Sequence, residues 1–236
     1  DLANRPHDCD LLLDQTLGRS SADYNDYVPS RCVVLAGPEY ALLRPDFASL
    51  RAVSLERRAS PRLGHLLITM GGVDKANATS RVLASLASCA LPVDCRITVV
   101  MGAQAPWIRE VRERADDLPW PTDVRVDVRD MAHLMTNSDL MIGAAGSTTW
   151  ESSCLGLPSI VIAVAENQQL IARALAHAGA ARSSTVSTVT DEINWFLKPT
   201  ASTPFQLAEF GDAAAKVTRG RGASLVGQML FAESKL

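Results

Sequence analysis

The chain has 236 residues, which at roughly 100–200 residues per domain makes one domain, or one and part of another. With 47% hydrophobic and 21% charged residues, its composition is that of a packed globular protein and excludes a disordered polymer. A formal net charge of −3, with no block of Lys or Arg, excludes the electrostatic footprint of a nucleic-acid binder.

In chain order, residues 9–15 and 32–37 are short apolar runs with turn-rich flanks, and read as strands. The polar stretch 20–30 between them reads as loop or short helix. Residues 42–55 mix Pro, Arg and apolar side chains and read as a linker, and 58–64 (RASPRLG) as a breaker. Arg57/Arg58 and Arg219/Arg221 read as short, solvated basic spots.

From His65 the pattern becomes regular. Strands are predicted at 65–70, 95–101, 124–128, 140–143 and 159–163. Helices follow them at 76–90, 106–115, 131–138, 148–155 and 167–178. This alternation implies βαβ units on a parallel sheet with right-handed crossovers. The strands are almost wholly apolar (ITVV, SIVIAV), as expected when helices cover both faces. Beyond Thr190 only helical signals remain, at 191–197, 205–219 and 224–233.

The five cysteines are scattered, with no CxxC and no zinc spacing, so reduced thiols in a cytosolic protein and no metal site are expected. The apolar run 160–165 is too short to span a bilayer, and no signal-peptide pattern is present. The chain opens on Asp1 rather than Met and moves directly into a strand, as a chain cut from something longer would.

In an open parallel sheet, ligands bind outside the carboxyl ends of the strands, so the loops after strands carry the chemistry. Residues 143–151 (GAAGSTTWE) follow a strand and open a helix. Gly146 and its small neighbours let the backbone approach a ligand. The free amides of the helix start attract phosphate, with hydroxyl donors at Ser147, Thr148 and Thr149. Glu151, one turn in, can accept from ribose hydroxyls. The alternative is a tight turn capped by Ser147, or a capping box from Thr148 to Glu151, and the pattern alone leaves both open.

Gly71, Gly72 and Asp74 (GGVD) form a second glycine-rich turn before a helix, suited to a diphosphate, with N-capping by Asp74 as the alternative. Asn77 can cap or touch ligand. Asn167 and Gln168 (in ENQ) offer donors and acceptors to sugar hydroxyl or acetamido groups, or cap a helix. GxGxxG, GxxxxGK[ST], HExxH and GxSxG are all absent. The four histidines lie far apart and read as structural or exposed, and the four tryptophans as packing.

Taken together, GAAGSTTWESSCLGLPSIVIAVAENQ, ITMGGVD, MAHLMTNSDLMIG and GPEYALLRPDF resemble a known family. It is the UDP-sugar hydrolase family of pseudaminic acid biosynthesis, which releases UDP from UDP-2,4-diacetamido-2,4,6-trideoxy-β-L-altropyranose. More distantly the set is similar to the family 28 glycosyltransferases. The resemblance covers about residues 1–182. It implies a GT-B arrangement, two Rossmann-like domains facing a cleft, with UDP held by the second. Residues 1–50 would then be the remnant of the N-terminal domain and a linker, 51–200 the nucleotide-sugar-binding domain, and 201–236 C-terminal helices. By motif, Gly72 faces the diphosphate, Ser147–Thr149 the phosphates, Glu151 the ribose, the backbone of Val128 and Met131 the uracil, and Asn167 and Gln168 the sugar.

The general base proposed for the family is a His in a glycine-rich loop near the start of its first domain. The resemblance implies that this loop, with the first ~100 residues of such a domain, lies outside this sequence. His7 does not occupy its place, so no catalytic residue is assigned to this chain. The expected partner is UDP or a UDP-sugar, with no cofactor, nucleic acid or membrane. Three functions stay open: a UDP-sugar hydrolase, a family 28-type transferase, and a binding module without chemistry.

Overall fold

The computed structural model describes residues 5–185, 187–196 and 203–233. The first two strands, β1 (Leu11–Asp14) and β2 (Val33–Ala36), pair in parallel as a small separate sheet, with Leu11 opposite Val33. A 3-10 turn (Ser21–Tyr24) lies between them. Tyr24 is fully buried and donates to Asp14 Oδ2 at 2.8 Å. Its burial and the adjacent carboxylate push its pKa up to about 12. All five cysteines are free thiols, although Cys9 Sγ and Cys32 Sγ lie 3.7 Å apart.

Helix α1 (Pro45–Arg58) stands where 42–55 read as a linker, and the expected boundary at residue 50 falls inside it. Pro45 fits the first helical turn, where its missing N–H costs nothing. The sequence hid this helix because its inner face is mostly polar. Phe47 is fully buried, which is worth roughly 1.5–3 kcal/mol. The other anchors are bonds from side chains to backbone carbonyls. Ser54 Oγ donates to Leu155 O at 2.7 Å, and Arg51 donates to the carbonyls of Cys154, Ala215 and Thr218.

Arg57 and Arg58 are therefore not solvated spots. Arg57 pairs with buried Asp139, and Arg58 spreads over the carbonyls of Leu155, Ser138 and Met135 at 2.9–3.1 Å. Burial and the Arg57 charge bring the Arg58 pKa down to about 10, still far enough above neutrality to keep the guanidinium charged. The carbonyl ends of neighbouring helices supply the partial negative charge that makes this placement tolerable.

The main sheet has six parallel strands in the order β5-β4-β3-β6-β7-β8. They are β3 (His65–Thr69), β4 (Arg96–Met101), β5 (Thr122–Val126), β6 (Leu140–Ala144), β7 (Ser159–Ala163) and β8 (Arg182–Thr185). The helices are α2 (Ala78–Leu86), α3 (Ile108–Asp116), α4 (Met131–Thr136), α5 (Thr148–Cys154), α6 (Gln169–His177), α7 (Val189–Phe196), α8 (Thr203–Val217) and α9 (Gly222–Glu233). The expected helix at 191–197 begins two residues earlier, as α7; its residue 197 and the expected boundary at residue 200 lie outside the described residues.

Alternate side chains of the central strands enter two cores, one per face, as the strand period requires. Leu66, Ile68, Ile142 and Ile160 pack with α2, α3 and α7, while Leu67, Met141 and Val161 pack with α1, α4, α5 and α6. Strand β8 was not predicted because its sequence, RSST, is polar. It is an edge strand, where no second neighbour demands an apolar face. Among the described residues no helix is long and apolar enough to cross a membrane.

Candidate functional site

The chain runs outward from β3 through β4 to β5, then returns to place β6 on the other side of β3. The carboxyl ends of β3 and β6 therefore flank the point where strand order reverses, the position at which such sheets open a crevice. A pocket of about 180 Å³ lies there. It brings together Gly71, Gly72, Val128, Met131, Thr148 and Glu151 from the sequence reading, and adds Thr69, Val100, Met101, Gly102 and Asp127.

The floor depends on backbone packing. A Cβ on Gly102 would sit 2.1 Å from Gly72 O, so the loop after β3 rests directly on the loop after β4. Gly71 has φ +83, a conformation glycine adopts without a Cβ penalty. Asp127, in the rim after β5, is left-handed at φ 56, and its N–H is held by Met101 O at 2.9 Å. A non-glycine residue in that region stores strain of the kind found at ligand-contacting positions.

At the start of α5, neither capping alternative is realised. Ser147 makes no side-chain cap bond, and Thr149 Oγ1 turns back to donate to Gly146 O at 2.6 Å. The N–H groups of Thr149 and Trp150 go to Gly146 O and Ser147 O. Among the described residues the Ser147 and Thr148 amides have no protein acceptor, and Thr148 lines the pocket. Glu151 points to the same pocket. Burial raises its pKa above the ordinary glutamate range, the positive charge of Arg44 opposes that, and Asp46 adds to it.

The remaining expected residues, Asp74, Gly146, Ser147, Thr149, Asn167 and Gln168, are not brought into the pocket lining. Gln168 Oε1 accepts from Val164 N at 3.0 Å, and its Nε2 lies 3.9 Å from where a Cβ on Gly146 would stand. Asn167 is exposed in the 3-10 turn Glu166–Gln168.

Asp74 belongs to the helix, not to the pocket lining. It is buried, and its two oxygens accept from Ala78 N at 2.8 Å and Thr79 N at 2.9 Å. Asn77 donates to Glu110 Oε2 at 3.1 Å. Replacing Asp74 by alanine is expected to lower stability by about 1–2 kcal/mol. The urea midpoint of the variant reads this, with Asp74→Asn, which keeps one acceptor, falling between.

A larger groove of about 620 Å³ runs beside edge strand β5 and reaches His65 and Arg96. Its polar groups serve the fold. His65 is bound at Nε2 by Thr98 Oγ1 (2.9 Å) and at Nδ1 by Asn137 O (3.0 Å), and burial holds its pKa below the usual histidine range. Asp123 is paired with Arg125, and Asp130 accepts from His133 N at the start of α4. Among the described residues no group of three His, Cys, Asp or Glu could hold a metal ion.

Sequence reasoning missed Asp127 and Arg44. Asp127 has no motif, and its left-handed backbone is visible only in the fold. Arg44 Nη1 donates to Arg129 O, 85 positions away, at 2.7 Å.

Comparison with known proteins bears on the fold and the family. The spore coat polysaccharide biosynthesis protein SpsG of Bacillus subtilis is 30% identical over 155 residues, 66% of this chain and 44% of that protein. The UDP-2,4-diacetamido-2,4,6-trideoxy-β-L-altropyranose hydrolase of Campylobacter jejuni is 27% identical over 175 residues, 74% of this chain and 60% of that one. The chain thus spans about half the length of these relatives. Among solved structures, MurG of Acinetobacter baumannii superposes with a TM-score of 0.66 at 20% identity, covering 93% of this chain and 65% of MurG. The glycosyltransferase WaaG superposes at 0.56 and 17% identity, covering 92% of this chain and 62% of WaaG. These likenesses fix the fold as the α/β, Rossmann-like sheet of GT-B glycosyltransferases. A family model matches residues 66–217, more than half of the chain, and by that match the chain belongs to the family of the glycosyltransferase family 28 C-terminal domain.

Proposed function

We propose that this chain is the UDP-binding half of an enzyme that hydrolyses a UDP-linked diacetamido-trideoxy sugar, releasing UDP, in nonulosonic acid biosynthesis. The observation that carries the nucleotide part is the convergence of Gly71, Gly72, Val128, Met131, Thr148 and Glu151 on one pocket at the strand-order reversal. In this reading the glycine loop and the amides of Ser147 and Thr148 take the diphosphate, where N–H groups and helix dipole favour negative charge. Glu151 accepts from the ribose, the Val128–Met131 backbone meets the uracil, and Asn167 and Gln168 face the sugar. The hydrolytic part rests on the likeness to the Campylobacter enzyme. No proton-abstracting group is assigned to this chain.

A second reading, transfer of the sugar to an acceptor, is favoured by membership of the family 28 C-terminal domain. The two separate on the whole gene product. UDP release from the UDP-sugar without acceptor supports hydrolysis, strict acceptor dependence supports transfer, and UDP binding with neither reaction leaves a binding module.

For this chain alone, calorimetry is expected to show UDP binding, and Glu151→Ala is expected to weaken it by about 1–3 kcal/mol with the fold retained. Absence of heat at millimolar UDP with a folded sample refutes the cradle.

A further inference from the structure

Arg44 stands at the entrance to α1, and four features fix it there. It precedes Pro45, which restricts its backbone to the extended region it occupies, φ −63 and ψ 147. Its guanidinium lies 5.4 Å from the centroid of the fully buried Phe47 ring. Its Nη2 is 3.5 Å from Asp46 Oδ2. Its Nη1 reaches across to the Arg129 carbonyl at 2.7 Å. That carbonyl belongs to the rim that begins at left-handed Asp127 and carries Val128 and Met131 into the pocket. A strained rim needs an external hold, and Arg44 supplies one from 85 positions earlier in the chain.

We propose that Arg44 is a positioning residue for the nucleotide: it latches the 127–130 rim in its binding shape and sets a positive charge toward Glu151. This rests on the UDP-cradle reading above. A guanidinium suits both tasks, since its fork can hold a carbonyl with one nitrogen while its delocalised charge acts on a carboxylate nearby.

The second task has a sign. A ribose hydroxyl donates more strongly to a charged carboxylate than to a neutral carboxyl. Burial raises the pKa of Glu151 and Arg44 lowers it. The other charge acting on it is Asp46, on the same helix start, which raises it, while Asp127 shares the pocket wall. UDP affinity therefore falls as pH drops through the Glu151 pKa. Without Arg44 that fall begins at higher pH.

The test is UDP titration by calorimetry across pH for the unaltered chain, R44A, R44Q and R44K. R44A is expected to weaken UDP by about tenfold at neutral pH, the size of one charge-assisted hydrogen bond. R44Q keeps a donor for Arg129 O but no charge, so it recovers part of the affinity while its pH curve stays displaced upward. R44K keeps the charge and restores the position of the curve. In a Glu151→Gln background, R44Q no longer moves the curve. UDP's own phosphate ionisation is common to all variants, so the differences isolate the protein. If the unaltered chain binds UDP and all three variants bind equally with an unmoved curve, the Arg44 role is overturned. If the unaltered chain does not bind UDP, the cradle reading itself fails. Should R44A not fold, R44Q against R44K gives the same decision.

Discussion

Replacing Gly102 by alanine is expected to abolish UDP binding and to lower stability by about 1–3 kcal/mol. The added Cβ would meet Gly72 O at 2.1 Å, Gly72 C at 2.8 Å and Gly72 Cα at 2.9 Å. All three are backbone atoms, so no side chain can rotate away. The clash is relieved only by lifting the 71–72 loop, and both of its glycines line the pocket. UDP titration and a urea midpoint on the same sample read the two effects. Gly227 in α9 is the control, because a Cβ there meets nothing within 4 Å. A Gly102→Ala chain with unchanged UDP affinity would show that the loop's resting position does not matter to the ligand.

Arg58→Ala is expected to give the largest loss of stability among the arginines of α1, about 2–4 kcal/mol, or a fall in Tm of about 5–15 °C for a chain this size. The variant strips one donor from each of three carbonyls on different segments: Leu155 after α5, Ser138 before β6, and Met135 in α4. The loss stops short of three full bonds. Leu155 O keeps Ser54 Oγ, and Met135 O keeps the Ser138 amide. Arg58→Lys separates charge from geometry. A lysine keeps the positive charge but cannot fork to three carbonyls, so it is expected to cost nearly as much as alanine. A Lys variant as stable as the unaltered chain would mean that charge alone holds α1 in place.

Both residues show where local reading stops. Arg58 lies in RASPRLG, which by itself looks like exposed punctuation. Its burial depends on carbonyls that arrive from about 80 and 97 positions away. The same holds for α1 as a whole. A helix fastened by Arg51, Ser54, Arg57 and Arg58 to backbone groups shows little apolar periodicity, so 42–55 reads as a linker. Strand β8 escaped for the related reason that an edge strand has no need of apolar residues on both faces.

The pocket was more legible. Parallel strands buried on both faces announce themselves as apolar runs, and ligands in such sheets gather at strand ends, so the sequence alone places GGVD and GAAGSTTWE at the crevice. What the pattern leaves open is which polar group serves the helix and which faces the crevice. Asp74 and the Ser147–Glu151 turn looked alike as sequence. In the fold Asp74 gives both oxygens to α2, while Ser147 caps nothing and Glu151 faces the cavity.

By itself, the sequence determined the parallel α/β sheet, its central strand segments and the loops that border the crevice, because these follow from local periodicity and from glycine at strand ends. Only the tertiary structure decided that α1 is a brace, that Arg58 is buried, that Gly102 carries the Gly72 loop, that Asp127 lines the pocket and that Arg44 bonds to the Arg129 carbonyl beside it. Those roles are made by backbone groups that the chain brings together across long separations. A backbone carbonyl is the same at every position, so nothing in the sequence marks which one a side chain will meet.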